Sequence, residues 1–237
     1  MIESKSLSQI VMEYPFTVPV LEKYHMDYCC KGKRLLSHSV EDKNLLNEIV
    51  SEIEVEIERQ KHLSELPDFD KLNLQDLIQY IVDKHHTYVR ESVPLILFHL
   101  DKVAGKKGDR YPEMLKIREL FNVLKEDLFS HMEKEEQILF PRILSLLNKG
   151  ENIPASDEID QSFIAAPVGV MEWEHENAGN ILAEIRSVSS NYKQPKDACT
   201  THTLCYQELR EFEKDLHMHI HLENNILFPK SLGLFKL

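Results

Sequence analysis

The sequence predicts an all-α protein: an up-down-up-down four-helix bundle carrying a small helical N-terminal domain. Three observations lead there. Apolar residues recur at spacings of three and four over long stretches, and few alternating runs compete with that period. Short or moderate links join the segments, as antiparallel bundle neighbours require. One stretch is also written twice: residues 130–141 read Ser-His-Met-Glu-Lys-Glu-Glu-Gln-Ile-Leu-Phe-Pro, and residues 218–229 read Met-His-Ile-His-Leu-Glu-Asn-Asn-Ile-Leu-Phe-Pro. His131 matches His219, Glu135 matches Glu223, and the closing tetrapeptide is identical, at a constant offset of 88 residues. A repeat of this length implies two similar halves.

Residues 1–62 read as the small domain. Ser6 begins one short helix, Pro15 and Pro19 punctuate the next residues, and Val20–Tyr24 suggests a second helix. His25-Met26-Asp27-Tyr28-Cys29-Cys30-Lys31-Gly32 is most simply a turn. Asp42 is placed to cap a helix over 43–61, whose Leu46, Ile49, Ile53 and Ile57 share one face. Its glutamates Glu52, Glu54, Glu56 and Glu58 are expected to face water for the most part. Residues 63–73, with Pro67, read as a linker to a bundle over 74–230.

The first bundle helix is expected over 74–104, with a kink at Pro94 and a turn at Gly105-Lys106-Lys107-Gly108. The second is expected over 111–147, with Pro112 in its first turn, Leu120, Leu124, Leu128 and Phe129 pointing inward, and Pro141 disturbing its end. A loop over 148–166 contains Pro154. The third helix is expected over 167–189, and a turn with Pro195 leads to the fourth over 198–228.

Composition excludes several classes of function. The formal charge is −12, from 28 Lys and Arg against 40 Asp and Glu, which argues against a nucleic-acid-binding surface. No apolar run is long enough to span a membrane, and Met1–Lys5 lacks the apolar core of a secretory signal. A cytoplasmic location is therefore expected, with the four cysteines as thiols. Oligomeric state is not legible; a homodimer is one open arrangement.

The chemistry concentrates on histidine and glutamate. A spacing of four places His131 and Glu135 on one helix face, one turn apart, and His219 and Glu223 likewise. A further histidine lies upstream of each pair: His86, 45 residues before His131, and His175, 44 before His219. Four imidazoles and two carboxylates are too many for one tetrahedral zinc. They suit two metals bridged by the carboxylates, each also holding two histidines, and the nitrogen–oxygen donor set favours iron or manganese over copper. His85 competes with His86, and the two spacings do not choose between them. Asp127 and Asp215 lie four residues before His131 and His219; each either accepts a hydrogen bond from that imidazole or is an ordinary solvated acid. Glu174 adjoins His175 but points about 100° away around the helix, where it could border a substrate channel or handle a proton. His217 and His221 are expected at the surface, Met132, Ile220, Leu139 and Leu227 in packing. Cys29 and Cys30 are either redox-active or metal-binding turn thiols or packed small apolar residues; Cys199 and Cys205 are expected to be structural.

The chain resembles the iron–sulfur cluster repair di-iron proteins, also called repair-of-iron-centres proteins. Tyr24 through Cys30 with Gly32 matches the motif of their N-terminal domain. His131 through Pro141, Glu174-His175 with Ala178-Gly179, and His219 through Pro229 match their hemerythrin-like bundle. One departure stands out: Lys31-Gly32 replaces the usual glycine pair. The resemblance implies two iron ions per chain, held by His86, His131, Glu135, His175, His219 and Glu223, with an oxo or hydroxo bridge when oxidised. It places Glu174 near the access route, and lets Cys29 and Cys30 serve redox chemistry or iron transfer. It implies repair of clusters damaged by nitric oxide or oxidants, through iron donation, nitric oxide reduction, or both. Expected partners are damaged iron–sulfur proteins, nitric oxide or dioxygen, and an electron donor not identified by the sequence. The rival reading is a hemerythrin-like oxygen, nitric oxide or iron binding and sensing module without turnover.

Overall fold

The computed structural model describes residues 2–60, 69–149 and 161–235. Pro67 and Pro154, with the adjoining parts of the expected linker and loop, lie outside the described residues. The described residues form helices and one isolated β-bridge, Ser6 to Leu35.

The N-terminal part comprises α1 (Leu7–Glu13), α2 (Val18–Lys23), α3 (Leu36–Ser39) and α4 (Lys43–Gln60), with single 3-10 turns at Ile2–Ser4 and Pro15–Thr17. Ser6 caps α1 in a reciprocal box: its hydroxyl accepts from the Gln9 N–H at 3.2 Å, and the Gln9 side chain accepts from the Ser6 N–H at 2.9 Å. Asp42 accepts from the Asn44 N–H at 2.8 Å, as its position suggested. Ile49 and Ile53 are buried, Leu46 and Ile57 only partly, and Glu52 is tied down by Lys23 and Tyr24.

The bundle comprises α5 (Leu74–Tyr80), α6 (Thr87–Lys107), α7 (Pro112–Lys134), α8 (Phe140–Lys149), α9 (Ser162–Val188), α10 (Thr200–Leu222) and α11 (Phe228–Gly233). Single π-helical segments join three pairs into continuous rods: Ile81–His86 between α5 and α6, Glu135–Leu139 between α7 and α8, and Glu223–Leu227 between α10 and α11. The first rod packs against the second and fourth, and the second against the third.

Several helix boundaries differ from expectation. The first rod runs through Pro94 and through Gly105 to Lys107, with Gly108 as its cap; the irregular segment lies at Ile81–His86 instead. The third helix starts at Ser162, so Pro167 lies inside it. Pro141 and Pro229 do not end their rods, because each directly follows a wide turn. The Phe140 N–H bonds Glu135 O and the Phe228 N–H bonds Glu223 O, five residues back. A wide turn moves aside the carbonyl that a proline ring would otherwise strike. Phe129 and Leu95 face solvent at 37% and 51% exposure, the first against expectation. Leu120, Leu124 and Leu128 are buried as expected.

One apolar cluster contains Leu7, Ile10 and Leu21 from the N-terminal helices and Tyr28 from the turn after α2, together with Leu216 and Ile220 from α10. A second, with Leu139, Phe140, Leu227 and Phe228, fills the other end of the bundle. The turn at Cys29-Cys30 therefore lies against the bundle. Asn225 Nδ2 donates to Cys29 O at 3.1 Å, and His221 Nδ1 lies 3.3 Å from Tyr28 O. A Cβ at Gly32 would strike Tyr28 O, and would approach Ser8 Cβ and Asn225 Oδ1 to 2.9 Å. Gly32→Ala is accordingly expected to lower thermal stability by several degrees and to loosen this contact, read by melting temperature and by amide exchange around Tyr28. Unchanged values in both would refute the close approach.

Candidate metal centre

Each rod delivers a histidine or a histidine–glutamate pair to the bundle interior. The wide turns begin or end on them: His86 ends the first, Glu135 begins the second and Glu223 begins the third. His86, His131, Glu135, His175, His219 and Glu223 are all buried, with at most 2% exposure. Their donor atoms fall into two groups, His86–His219–Glu135–Glu223 and His131–His175–Glu135–Glu223, within each of which the atoms lie less than 4.8 Å apart. The two groups share both carboxylates. His86 Nε2 lies 3.2 Å from His219 Nε2, and His131 Nε2 lies 3.0 Å from His175 Nε2. The lone histidine of each half is thus paired with the histidine of the other half's duplicated stretch.

The carboxylates sit between the imidazoles and are only partly satisfied by them: His219 Nε2 lies 3.1 Å from Glu223 Oε1, with hydrogen-bond geometry. Glu135 Oε2 is 3.3 Å from His86 Nε2 and 3.4 Å from His131 Nε2; Glu223 Oε2 is 3.1 Å from His175 Nε2. These three approaches lack hydrogen-bond geometry, and Glu135 Oε1, Glu135 Oε2 and Glu223 Oε2 are buried without a hydrogen-bond partner. Unsatisfied buried acceptors are costly. Burial, then the charge of Glu223, raises the Glu135 pKa. Burial pushes Glu223 up as well, but His219 and His175 outweigh it and hold this carboxyl well below its usual range. Burial takes the His219 imidazole down to about 3. It lowers His86 and His175 too, but Glu135 and Glu223 respectively more than reverse it. Two carboxylates in one buried space cannot both ionise without nearby positive charge, which protons or cations supply.

The outer nitrogens of three imidazoles are anchored. Glu136 Oε1 lies 2.6 Å from His86 Nδ1, Glu174 Oε2 lies 2.9 Å from His131 Nδ1, and Asn224 Oδ1 lies 2.8 Å from His175 Nδ1. Such bonds put the proton on Nδ1 and leave the Nε2 lone pair facing inward. Glu136 also bonds Arg90 at 2.6 Å, and Glu174 pairs with Lys134. The His131 bond, then Lys134, holds the Glu174 carboxyl at about 2 despite its partial burial. Glu136 and Asn224 were not legible as site residues one by one. They stand 88 residues apart, each directly after a shared glutamate, so the repeat carried the signal.

Other sequence readings change. Asp127 is exposed and accepts from Asn177 at 3.1 Å, so it is a surface acid rather than a partner of His131. Asp215 bonds His85 Nδ1 at 3.1 Å, not His219. His85 is buried but belongs to neither donor group; its ring stacks on His219 at 5.4 Å. His221 is buried and His217 largely so, against the expected surface positions. His217 Nδ1 lies 2.7 Å from Glu22 of α2, because the N-terminal part covers this side of α10. Cys29 is buried and Cys30 partly exposed. Cys205 is buried in α10, and Cys199 is its N-cap residue. Among the described residues, no helix is long and apolar enough to cross a membrane.

Comparison with known proteins shows the family. The hemerythrin HHE cation binding domain matches residues 77–231, and ScdA_N, described as a domain of unknown function, matches residues 3–56. The iron–sulfur cluster repair protein YtfE of Enterobacter sp. (strain 638) is 35% identical over 96% of both chains. The chain belongs to the iron–sulfur cluster repair family. Also similar are the repair protein YtfE of Escherichia coli O8 (strain IAI1), 34% identical over 96% of both chains, and the repair protein ScdA of Staphylococcus haemolyticus (strain JCSC1435), 29% identical over 97% of this chain and 99% of its own. The ScdA_N region falls on the N-terminal helices α1 to α4, and the HHE region on the bundle. Both donor groups fall inside the HHE region.

Proposed function

We propose that the six converging side chains hold two iron ions bridged by Glu135 and Glu223, and that this centre serves the repair of damaged iron–sulfur clusters. The observation that carries the reading is the pair of buried groups sharing both carboxylates. Three carboxylate oxygens there have no hydrogen-bond partner, so the donor set fits cations better than it fits itself. Nitrogen and oxygen donors without thiolate favour iron over softer metals. The repair role rests on the relatives, whose names state that activity over nearly the full length of this chain.

When bound, two ferrous ions would supply the two electrons needed, with two protons, to convert two nitric oxide molecules into nitrous oxide and water, or iron itself for a damaged cluster. The chain does the rest. Glu136, Glu174 and Asn224 fix three imidazoles in the tautomer that faces the metals. Both oxygens of Glu174 are already engaged, one by His131 and one by Lys134. Its role is therefore to orient His131 rather than to deliver a proton. Met132, Leu139, Ile220 and Leu227, adjacent in sequence to the ligands or in the wide turns, are buried and help keep water from the centre. Four free cysteines suit a cytoplasmic setting, where an electron donor could return the centre to its ferrous state.

The test is anaerobic reconstitution with ferrous iron, iron analysis per chain, then exposure to nitric oxide and, separately, to a damaged cluster protein. About two irons per chain with nitrous oxide release or cluster restoration is the expected result. Two irons with neither outcome would identify a binding or sensing module instead. His217→Ala provides a control: it should leave iron content unchanged, since His217 bonds Glu22 and not a shared carboxylate.

A further inference from the structure

A second cluster of metal-ligating atoms lies outside the bundle interior, in the turn between α2 and α3. Asp27, Cys29 and Cys30 bring one carboxylate oxygen and two sulfurs within 4.8 Å of one another. The Cys29 and Cys30 sulfurs are 3.9 Å apart, and Cys29 Sγ is 3.3 Å from Asp27 Oδ1. A tetrahedral ion with metal–sulfur bonds of about 2.3 Å spans its two sulfurs at about 3.8 Å, and a sulfur and a carboxylate oxygen at about 3.6 Å. Both observed distances are close to that bite.

The turn is held in this shape from several sides. Asp27 Oδ1 accepts from the Cys30 N–H at 2.9 Å and the Lys31 N–H at 3.2 Å, which aims the carboxylate at the sulfurs. Asn225 holds Cys29 O, and Gly32 admits no side chain. His25 takes a left-handed φ of 54° at the turn's entry. The cluster is also open to solvent on two sides. A cavity of about 210 Å³ lies between Cys30, Asp27, His25 and Gly179, and one of about 250 Å³ between Cys29, Lys33 and Asn225. Glu176 of α9 lines both cavities.

We propose that Asp27, Cys29 and Cys30 form a third metal site, selective for a thiophilic divalent cation of the zinc class over ferrous iron. Binding forms two metal–sulfur bonds and releases two thiol protons to solvent, with no change of oxidation state. The site is separate from the bundle centre and does not depend on its role in repair. Its position fits exchange with solvent, because two cavities adjoin the sulfurs.

The probe is cobalt(II) chloride, added anaerobically under reducing conditions to the full chain already loaded with ferrous iron. The expected result is one further metal per chain, a sulfur-to-cobalt charge-transfer band in the near ultraviolet, and release of about two protons per cobalt. Cobalt on nitrogen and oxygen donors cannot give that band, so the bundle centre does not interfere. Cys29→Ser and Cys30→Ser should each weaken binding by at least about tenfold while iron content and melting temperature stay unchanged; Cys199→Ser should do nothing. Zinc chloride should displace the cobalt and ferrous sulfate should not; displacement by ferrous sulfate would overturn the assignment to a zinc-class cation. Absence of the band in the wild type, or its survival in both turn-cysteine variants, would overturn the site. Should a serine variant fail to fold, the band and the proton count of the wild type still decide. A bundle without iron would show in the iron assay alone, so failure of the proposed function is read separately.

Discussion

Glu135→Ala is expected to abolish binding of both irons, not one. The reason is that each donor group contains Glu135 as well as Glu223. A single histidine belongs to one group only: His131 and His175 to one, His86 and His219 to the other. Loss of a histidine should therefore weaken one position first, and loss of a shared carboxylate should weaken both together. The substitution also takes away the negative charge that balances two buried dications, a cost that neighbouring imidazoles cannot meet. Iron per chain after anaerobic loading should fall from about two to near zero in Glu135→Ala, and to about one in His131→Ala. Equal loss in both variants would mean that the carboxylate is not shared. Metal removal obeys the same logic: acidification protonates the imidazoles and carboxylates in competition with the metal, so both irons should leave together rather than in two widely separated steps.

The second large effect lies at the far end of the bundle. Glu213 of α10 is buried, with Arg186 Nη1 3.0 Å from Oε1 and the Tyr192 hydroxyl donating to Oε2 at 3.0 Å. Tyr192 reaches it from a tight turn in which Ser190, Asn191 and Tyr192 all take left-handed φ of 52–62°. Such backbone is unfavourable for these residues, and the buried tyrosine contact helps hold it. Arg186→Met leaves the carboxylate without its cation. We expect a loss of about 3 kcal/mol, at the low end for a broken buried pair because Arg186 is partly exposed, and a melting temperature lower by about 6–12 °C. Adding Glu213→Leu to the same chain should recover most of the loss, since an apolar pair in place of a buried ion pair is often neutral. The sign with pH is defined. Burial raises the Glu213 pKa above its unfolded value, despite Arg186. The protonated form therefore favours the fold, and that contribution is full below the unfolded value of about 4.3 and lost as pH rises through the folded one. The deficit of Arg186→Met should accordingly be smaller at pH 4 than at pH 7. A deficit independent of pH, or a melting temperature within a degree of wild type, would sink the account.

Much of the centre was legible before any fold was known. Helical periodicity and the 88-residue repeat were enough to name four rods, and a spacing of four put His131 with Glu135 and His219 with Glu223. Chain order alone could not tell which lone histidine meets which pair. Periodicity sets the angle of a side chain about its own helix axis, but the rotation of that helix against its neighbours is set by packing. Packing across rods decided that His86 meets His219 and His131 meets His175. It also gave the His131 hydrogen bond to Glu174 instead of Asp127, and the His85 bond to Asp215. The burial of His217 and His221 came from the N-terminal helices lying over α10, a contact between residues almost 200 apart in sequence. The sequence by itself determined the helices and the ligand types. Tertiary structure decided the partners, because a partner on another helix is a property of how two surfaces meet and not of the spacing along either one.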